Sequence, residues 1–244
     1  MKDGYLVDEP VPGKYLPADS GASLPASKFY LPDDLPPDIT LSEKLGAIHG
    51  RAMHSLGRLD GFWSEIDDPE AVFGLFVYKE AEQSSQVEGT QVTVSDMYRR
   101  GSDSKDVREA RNYAEALRQA TAQLTRDGRS RENLSIALLK SLHSSLMEAD
   151  RTDDDPQPGA FRSQYVWIEE DTNGIGQRVR FVPPKAEVAA SKMRNFEQYM
   201  QSGGRYPDLV DVAILHYQLE TIRVRLRPHL RVEGVSHSFV QGKA

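Results

Sequence analysis

The chain has 244 residues, of which 39% are hydrophobic and 8% aromatic, enough apolar material for one large or two small domains. Its formal net charge of −7 argues against a general affinity for nucleic acid or anionic membranes, and the absence of cysteine excludes disulfides and thiolate metal sites. Because we find neither a charged-then-apolar leader nor an apolar run of ~20 residues, we expect a cytoplasmic protein without a membrane span.

The first part of the chain predicts an arm followed by two helices. Residues 1–39 are rich in proline, glycine, serine and aspartate, which favours an extended arm packed on the body. Thr40 or Ser42 can cap the first helix, which is expected to end at Gly61. A second helix begins at Pro69 and ends before a glycine. The first helix carries apolar residues at helical spacing: Leu41, Leu45, Ile48, Ala52, Leu56 and Leu59.

Further helices and one hairpin are predicted after this pair. Ser95 and Asp96 can cap a short turn, and Asp103 or Ser104 opens the next helix. Two β-branched and aromatic runs flank the turn-forming sequence DTNG at 171–174, which predicts a β-hairpin. Additional helices are predicted at about 133–146, 185–201 and 207–222. The inward side of the last helix is predicted to carry Leu209, Val212, Ala213, Leu215, His216, Leu219 and Ile222.

The sequence SSQVEG at 84–89 has the pattern Ser/Thr-x-x-x-Glu-Gly/Asn, which resembles the inhibitory motif of Fic proteins. Other segments resemble landmarks of that family in the family order: LGRLDG at 56–61, KEA at 79–81, NY at 112–113, PGAFR at 158–162, FVPP at 181–184 and ETI at 220–222. The chain therefore resembles a Fic (Fido) family protein over about residues 40–222. The resemblance implies a mainly α fold, a Fic-like helical bundle with one β-hairpin flap.

The resemblance also implies a division of the chain. It gives an extended arm at 1–39, a Fic N-terminal helical domain at 40–128 and an incomplete Fic core at 129–222. Residues 223–244 form a tail outside the family pattern. The apolar faces at 134–146 and 209–222 are then expected to be partly uncovered, because the helices that complete a Fic core are missing.

Most Fic proteins transfer AMP from ATP to a hydroxyl of a target protein. In the family a histidine is the general base, an acidic residue holds Mg²⁺, and a Gly-Asn-Gly turn binds phosphate. The resemblance assigns the inhibitory motif to Ser84, Glu88 and Gly89. It assigns the flap, which pairs with an extended segment of the target protein, to Tyr165, Val166, Trp167, Ile168, Arg180, Phe181 and Val182.

The sequence departs from the family at the catalytic motif. After Glu-Thr-Ile the family continues as His-Pro-Phe-x-Asp/Asn-Gly-Asn-Gly-Arg-x-x-Arg, whereas here Arg223 occupies the histidine position. An arginine, with a pKa above ~12, cannot act as a general base at neutral pH. We therefore expect no catalytic residue, no metal ligand and no productive binding of ATP and Mg²⁺. Arg225 or Arg227 remains as a substitute partner for Glu88, and a frameshift, a truncation or a genuine divergence would each explain the tail.

Three functions are compatible with these features. The first is a Fic-family protein adenylyltransferase that is inactive in this form, with a protein target as its expected partner. The second is a peptide- or protein-interaction module that uses the flap and the N-terminal helices to hold a partner strand or a second copy, as a homo-oligomer. The third is an enzyme with an unfamiliar site built from His229 or His237.

Overall fold

The computed structural model describes residues 12–18, 26–87, 89–99, 101, 104–128, 130–147, 159–163, 165–171 and 177–222. Within them the fold is mainly α-helical, as predicted. The helices are α1 (Glu43–Trp63), α2 (Pro69–Val87), α3 (Val94–Tyr98), α4 (Lys105–Arg126), α5 (Ile136–Met147), α6 (Ala186–Gln201) and α7 (Asp208–Ile222). The strands are β1 (Gly13–Pro17), β2 (Lys28–Pro32), β3 (Ile168–Asp171) and β4 (Gln177–Phe181). None of the described helices combines the length and the apolar character needed to cross a membrane.

The N-terminal arm contains a strand pair that the sequence analysis did not anticipate. Strands β1 and β2 are antiparallel, with Tyr15 opposite Tyr30 and their rings in edge contact at 5.3 Å. The amide of Tyr30 donates a hydrogen bond to the carbonyl of Val182, at 2.8 Å. The Pro-rich composition correctly excluded helix, but it did not indicate that two segments of the arm pair with each other or that Tyr30 bonds to the residue after Phe181.

The rest of the arm lies along α6 and the segment that precedes α7. The side chain of Asn195 accepts from the amide of Leu35 at 2.7 Å and donates to its carbonyl at 3.0 Å. The hydroxyl of Tyr206 accepts from the amide of Ile39 and donates to the carbonyl of Pro37. These bonds satisfy backbone groups that an irregular segment would otherwise leave unpaired against the body.

Helices α2, α3 and α4 share one cluster of buried side chains. Its members are Val77, Ala81, Val92, Met97, Val107, Ala110 and Ala114. Three of the seven are alanines, which let neighbouring helices approach closely. Helix α3 is capped by Thr93, whose side chain and backbone are both bonded to Asp96, and not by Ser95 as the sequence suggested. The reason is that Asp96 stands three residues after Thr93, the spacing of a capping box.

A second cluster joins the arm to α6 and α7. Its members are Leu35, Ala189, Met193, Phe196, Tyr199, Met200 and Ile222, and α5 packs against it with Ile136 and Leu139. Helix α5 begins at Ile136 and not at Asn133, because Arg131–Asn133 forms a separate 3₁₀ turn. The side chain of Glu197 then accepts from the first α5 amide at 2.7 Å, which fixes the start of α5 on α6.

The buried face of α7 differs in part from the predicted one, since Ile222 is buried and Leu215 and Leu219 pack against the second cluster as predicted. Val212 is 61% exposed and Ala213 and His216 are also exposed, whereas Asp211 and Gln218 are buried. The Asp211 carboxylate accepts from the Tyr199 hydroxyl and the Tyr206 amide, and Gln218 donates to the carbonyl of Asp33. The helix is therefore rotated so that two polar side chains face inward, an orientation that an apolar count does not detect.

Candidate functional site

The flap hairpin is shorter than the sequence predicted. Strands β3 and β4 are antiparallel, with Ile168 opposite Phe181 and an irregularity between Ile168 and Glu169. Of the predicted flap residues the strands contain Ile168, Arg180 and Phe181, while Tyr165, Val166 and Trp167 precede β3 and Val182 follows β4. The pairing cannot continue past Phe181 in the same way, because the Val182 carbonyl is engaged by the amide of Tyr30.

The base of the flap is held by the N-terminal arm. The ring of Tyr30 packs against that of Phe181, with centroids 5.8 Å apart, and Tyr30 is almost completely buried. Its hydroxyl donates to the carbonyl of Pro12 at 2.9 Å and lies 3.4 Å from the hydroxyl of Tyr217 on α7. Burial and the contact with Tyr217 raise the pKa of Tyr30, so this hydroxyl stays protonated. Strand β2 thus ties the flap to α7.

A buried arginine connects the flap to the end of α7. The guanidinium of Arg162 donates to the carbonyl of Pro184, just after the flap, and to the carbonyl of Ile222 at 3.4 Å. Arg162 is 6% exposed, and burial lowers its pKa to about 10, so it remains charged at neutral pH. One side chain therefore sets the distance between the flap base and the last residue of α7.

The segment before Arg162 packs tightly on α5. Gly159 has a φ of 79°, and a Cβ there would lie 2.5 Å from the Ser144 hydroxyl and 2.9 Å from the Lys140 carbonyl. Its amide donates to Nδ1 of His143 at 3.1 Å. Only glycine fits this backbone conformation at this separation. His143, to which the sequence analysis gave no role, is thus part of the contact that holds this segment on α5.

An apolar cavity of about 560 Å³ lies between α4, α5 and α7. Its walls include Leu117, Leu139, Leu142, Leu146 and Leu219. Among the described residues, this cavity leaves the apolar faces of 134–146 and 209–222 partly uncovered, whereas α6 covers the other side of α7, where Ile222 is fully buried. Three polar side chains, those of Lys140, His143 and Glu220, also line the cavity. The Lys140 ammonium lies 4.1 Å from the centre of the Phe161 ring.

The structure describes only part of the predicted inhibitory motif. Helix α2 ends at Val87. Gly89 follows with a φ of 90°, and its amide donates to the carbonyl of Gln86 at 3.0 Å. Both features are expected of a glycine that ends a helix. The Ser84 hydroxyl lies 3.3 Å from the Glu80 carboxylate and donates to it. Glu88 lies outside the described residues.

The residues at and after the missing catalytic motif are also outside the described part. This applies to Arg223, Arg225, Arg227, His229 and His237. Within the described ranges, no three histidine, aspartate or glutamate side chains come together in a way that could hold a metal ion. The position at which the family motif supplies its metal ligand lies after Ile222, outside the described residues.

The residues that organise this site carry little signal in the sequence. Arg162 is the last residue of the landmark PGAFR. The only local hint that its side chain is buried is its position directly after Phe161 in a short apolar segment. Tyr30 stood in the arm among other tyrosines and prolines. Both act through backbone carbonyls of distant segments, and such partners leave no trace in local sequence patterns.

Comparisons with known proteins agree with this architecture. Residues 48–122 match the model of the Fic/DOC family N-terminal segment. The fold is similar to that of a Fic family protein from Desulfovibrio desulfuricans G20, with a TM-score of 0.54 and 15% sequence identity. The similarity covers 80% of this chain but only 55% of that protein. No curated protein matches the chain significantly. The chain therefore contains a segment that matches the Fic/DOC family N-terminal model, and its fold is similar to that of a Fic family protein.

Proposed function

We propose that the chain is a Fic-family protein built on the scaffold of a protein adenylyltransferase, and that it does not transfer AMP in this form. The observation that carries the proposal is the junction at Ile222. The family places its catalytic histidine directly after Glu-Thr-Ile, and Arg162 fixes the carbonyl of Ile222 relative to the flap base. The residue that the sequence supplies next is Arg223.

The chemistry of Arg223 supports the absence of transfer. AMP transfer to a hydroxyl needs a group that accepts the proton of that hydroxyl, and an arginine with a pKa above ~12 is always protonated at neutral pH. The phosphate-binding Gly-Asn-Gly sequence and the acidic metal ligand of the family motif do not follow Arg223 either. Changing Arg223 to histidine alone is therefore expected to leave the chain inactive.

The flap supports a protein as the partner. In the described residues the β3–β4 sheet has two strands, so the backbone groups on an outer edge remain available for pairing with an extended segment. The arm and Arg162 hold the base of this hairpin in place, which lowers the entropic cost of ordering the flap when a partner strand binds. A target protein is thus the expected partner at family level.

The test is incubation of the protein with labelled ATP, Mg²⁺ and cell lysate. We expect no labelled protein above background, and the same result for Arg223→His. An active Fic transferase added to the same lysate provides the positive control. Labelling that depends on this chain would overturn the proposal.

A second variant tests whether the chain is inactive because it lacks a catalytic site or because the inhibitory glutamate blocks one. In the family, loss of the inhibitory glutamate frees the arginine that holds the γ-phosphate, so activity rises. Glu88→Gly is expected to give no rise in ATP turnover here, because the motif that supplies that arginine is absent from the sequence. A clear gain in turnover with Glu88→Gly would mean that this chain builds a working nucleotide site.

A further inference from the structure

Helix α1 presents an apolar face that no other described element covers. None of its 21 residues is buried. Ile48, Leu59 and Phe62 are 45%, 52% and 62% exposed, although they occur at spacings typical of a helix face that packs against a partner. The following helix extends this apolar surface, because Trp63 contacts Phe76 with ring centroids 6.4 Å apart and Phe76 is itself 57% exposed.

The composition of α1 indicates that the helix needs a packing partner. It contains Gly46, Gly50, Gly57 and Gly61, and a Cβ at any of them would meet nothing within 4 Å. Each glycine in a helix interior costs ~1 kcal/mol relative to alanine, and most of the stability of a helix in a protein comes from packing of its apolar face. Neither intrinsic propensity nor burial against the described body therefore accounts for a stable α1.

The apolar area is sufficient for an interface. Eight large side chains just before α1, on α1 and on the first half of α2 are between 37% and 62% exposed: Leu41, Ile48, Met53, Leu56, Leu59, Phe62, Leu75 and Phe76. At a typical side-chain area of ~150–250 Å² they present roughly 600 Å² of apolar surface. A standard protein interface takes ~800 Å² from each partner, of which little more than half is apolar. A monomer rarely leaves an apolar patch of this size uncovered.

We propose that two copies of the chain associate through parallel pairing of their α1 helices. The contact is centred on the α1 seam, which we define as Leu45, Ile48, Ala52, Ser55, Leu59 and Phe62. Three of the exposed side chains counted above, Ile48, Leu59 and Phe62, belong to this seam, and the others flank it. These positions follow one another at alternating intervals of three and four residues, the spacing of the two inward positions of a coiled-coil repeat. The same surface on both copies makes the contact self-complementary.

Charge selects a parallel orientation. Lys44, Arg51 and Arg58 are exposed, lie seven residues apart and form a single cationic row beside the α1 seam. Antiparallel helices would set this row against the same row of the other copy, and the like charges would repel. In parallel helices each cation lies beside the residue five positions further along the other copy. For Arg58 this residue is Trp63 of the other copy, and an aromatic ring attracts a cation placed over its face.

The first test is the mass of the full chain in solution, measured by light scattering and sedimentation at tens of micromolar. We expect twice the chain mass of 27.3 kDa. The double variant Ile48→Glu/Leu59→Glu should be monomeric, with a dissociation constant raised by ~100-fold or more, because each copy would bury two unpaired charges. Since α1 has no buried residue, this variant keeps the core, and its circular dichroism reports on folding.

The matched control is Val212→Glu, which replaces an apolar residue of α7 that is 61% exposed and lies outside the seam. It should remain a dimer. A monomeric wild-type chain would overturn the proposal and mean that something other than a second copy covers α1. A dimer that survives Ile48→Glu/Leu59→Glu would overturn it as well.

A second measurement tests the orientation. The chain has no cysteine, so single-cysteine variants report without background. Ile48→Cys should form a disulfide between copies under mild oxidation, because parallel pairing sets residue 48 against itself. His54→Cys, on the opposite side of α1, should not form one. A dimer in which Ile48→Cys fails to cross-link would contradict the parallel arrangement.

Discussion

At the scale of single residues, Arg162 is the side chain on which the site geometry depends. A guanidinium has its donors fixed in one plane, so it can bond the carbonyls of Pro184 and Ile222 from one position. Burial lowers its pKa to about 10, so the charged form is held at a cost in solvation, which the nearby Glu187 carboxylate offsets in part.

Replacing Arg162 with methionine should destabilise the protein by roughly 2–4 kcal/mol, because two buried carbonyls lose their charged donor. Arg162→Lys should recover only part of this loss, since one ammonium cannot reproduce the planar geometry. Urea unfolding measures both. Arg118→Met is the control, because its ion pair with Glu115 is exposed and should contribute less than ~1 kcal/mol. Equal effects of Arg162→Met and Arg118→Met would contradict the assigned role.

A second residue-scale prediction concerns pH. Burial and the hydrogen bond to Asp211 raise the pKa of Tyr199 to about 12, compared with ~10 in an unfolded chain. The folded state therefore binds this proton more tightly, so its contribution to stability is complete below pH ~10 and is lost as the pH rises towards 12. Tyr199→Phe should be less stable than wild type by ~1–3 kcal/mol at pH 7.5, because Asp211 loses a donor.

The difference between Tyr199→Phe and wild type should shrink between pH 9.5 and 11, measured by urea unfolding at each pH. Tyr206→Phe is a suitable comparison, because its hydroxyl bonds to backbone groups of the arm and not to Asp211. A difference between Tyr199→Phe and wild type that stays constant over this range would show that the hydroxyl of Tyr199 does not titrate with the predicted linkage.

At the scale of elements, the contact between α5 and the segment that carries Arg162 depends on Gly159. Gly159→Ala should be strongly destabilising, because the new Cβ meets the backbone carbonyl of Lys140 at 2.9 Å and the φ of 79° is strained for alanine. Gly128→Ala is a matched control with a φ of 92° and no atom within 4 Å of its Cβ.

Thermal unfolding of the two alanine variants separates conformational strain from steric overlap. Gly128→Ala should cost ~1–2 kcal/mol from backbone strain alone, and Gly159→Ala should cost clearly more. If the two substitutions had the same effect, the tight packing of this segment on α5 would be ruled out as a stabilising contact.

At the scale of the whole molecule, the two clusters of buried side chains agree with a division near residue 128, which stays a prediction. The cluster of α2, α3 and α4 lies before that point, and the cluster of α6 and α7 lies after it apart from Leu35 of the arm. Contacts between α4 and α5 and the walls of the cavity join the two parts.

We expect amides of 209–222 to exchange faster with solvent than those of 72–86. The physical reason is the cavity, at which one side of α7 has fewer packed neighbours within the described ranges, whereas the central residues of α2 pack against α4. Hydrogen exchange followed by mass spectrometry compares the two segments directly. Equal, strong protection would mean that a further segment or a second copy fills the cavity.

The sequence alone determined the helices and the hairpin, because their signals are local. Ser42 and Ser104 cap α1 and α4 as predicted, and Gly89 lies just after α2. Capping, glycine conformation and helical periodicity act between residues no more than a few positions apart. The similarity to Fic proteins and the mainly α fold also followed from sequence, because the landmarks occur in the family order.

Only the tertiary structure decided which helix faces are buried and how the site is held. Helix α7 turns Asp211 and Gln218 inward because their partners, Tyr199 and the carbonyl of Asp33, are supplied by distant segments. Arg162 bonds carbonyls that follow it by 22 and 60 residues. The apolar face of α1 has the same periodicity as a buried helix and yet is exposed. Periodicity determines that a helix has an apolar face, but contacts between distant residues determine what covers it.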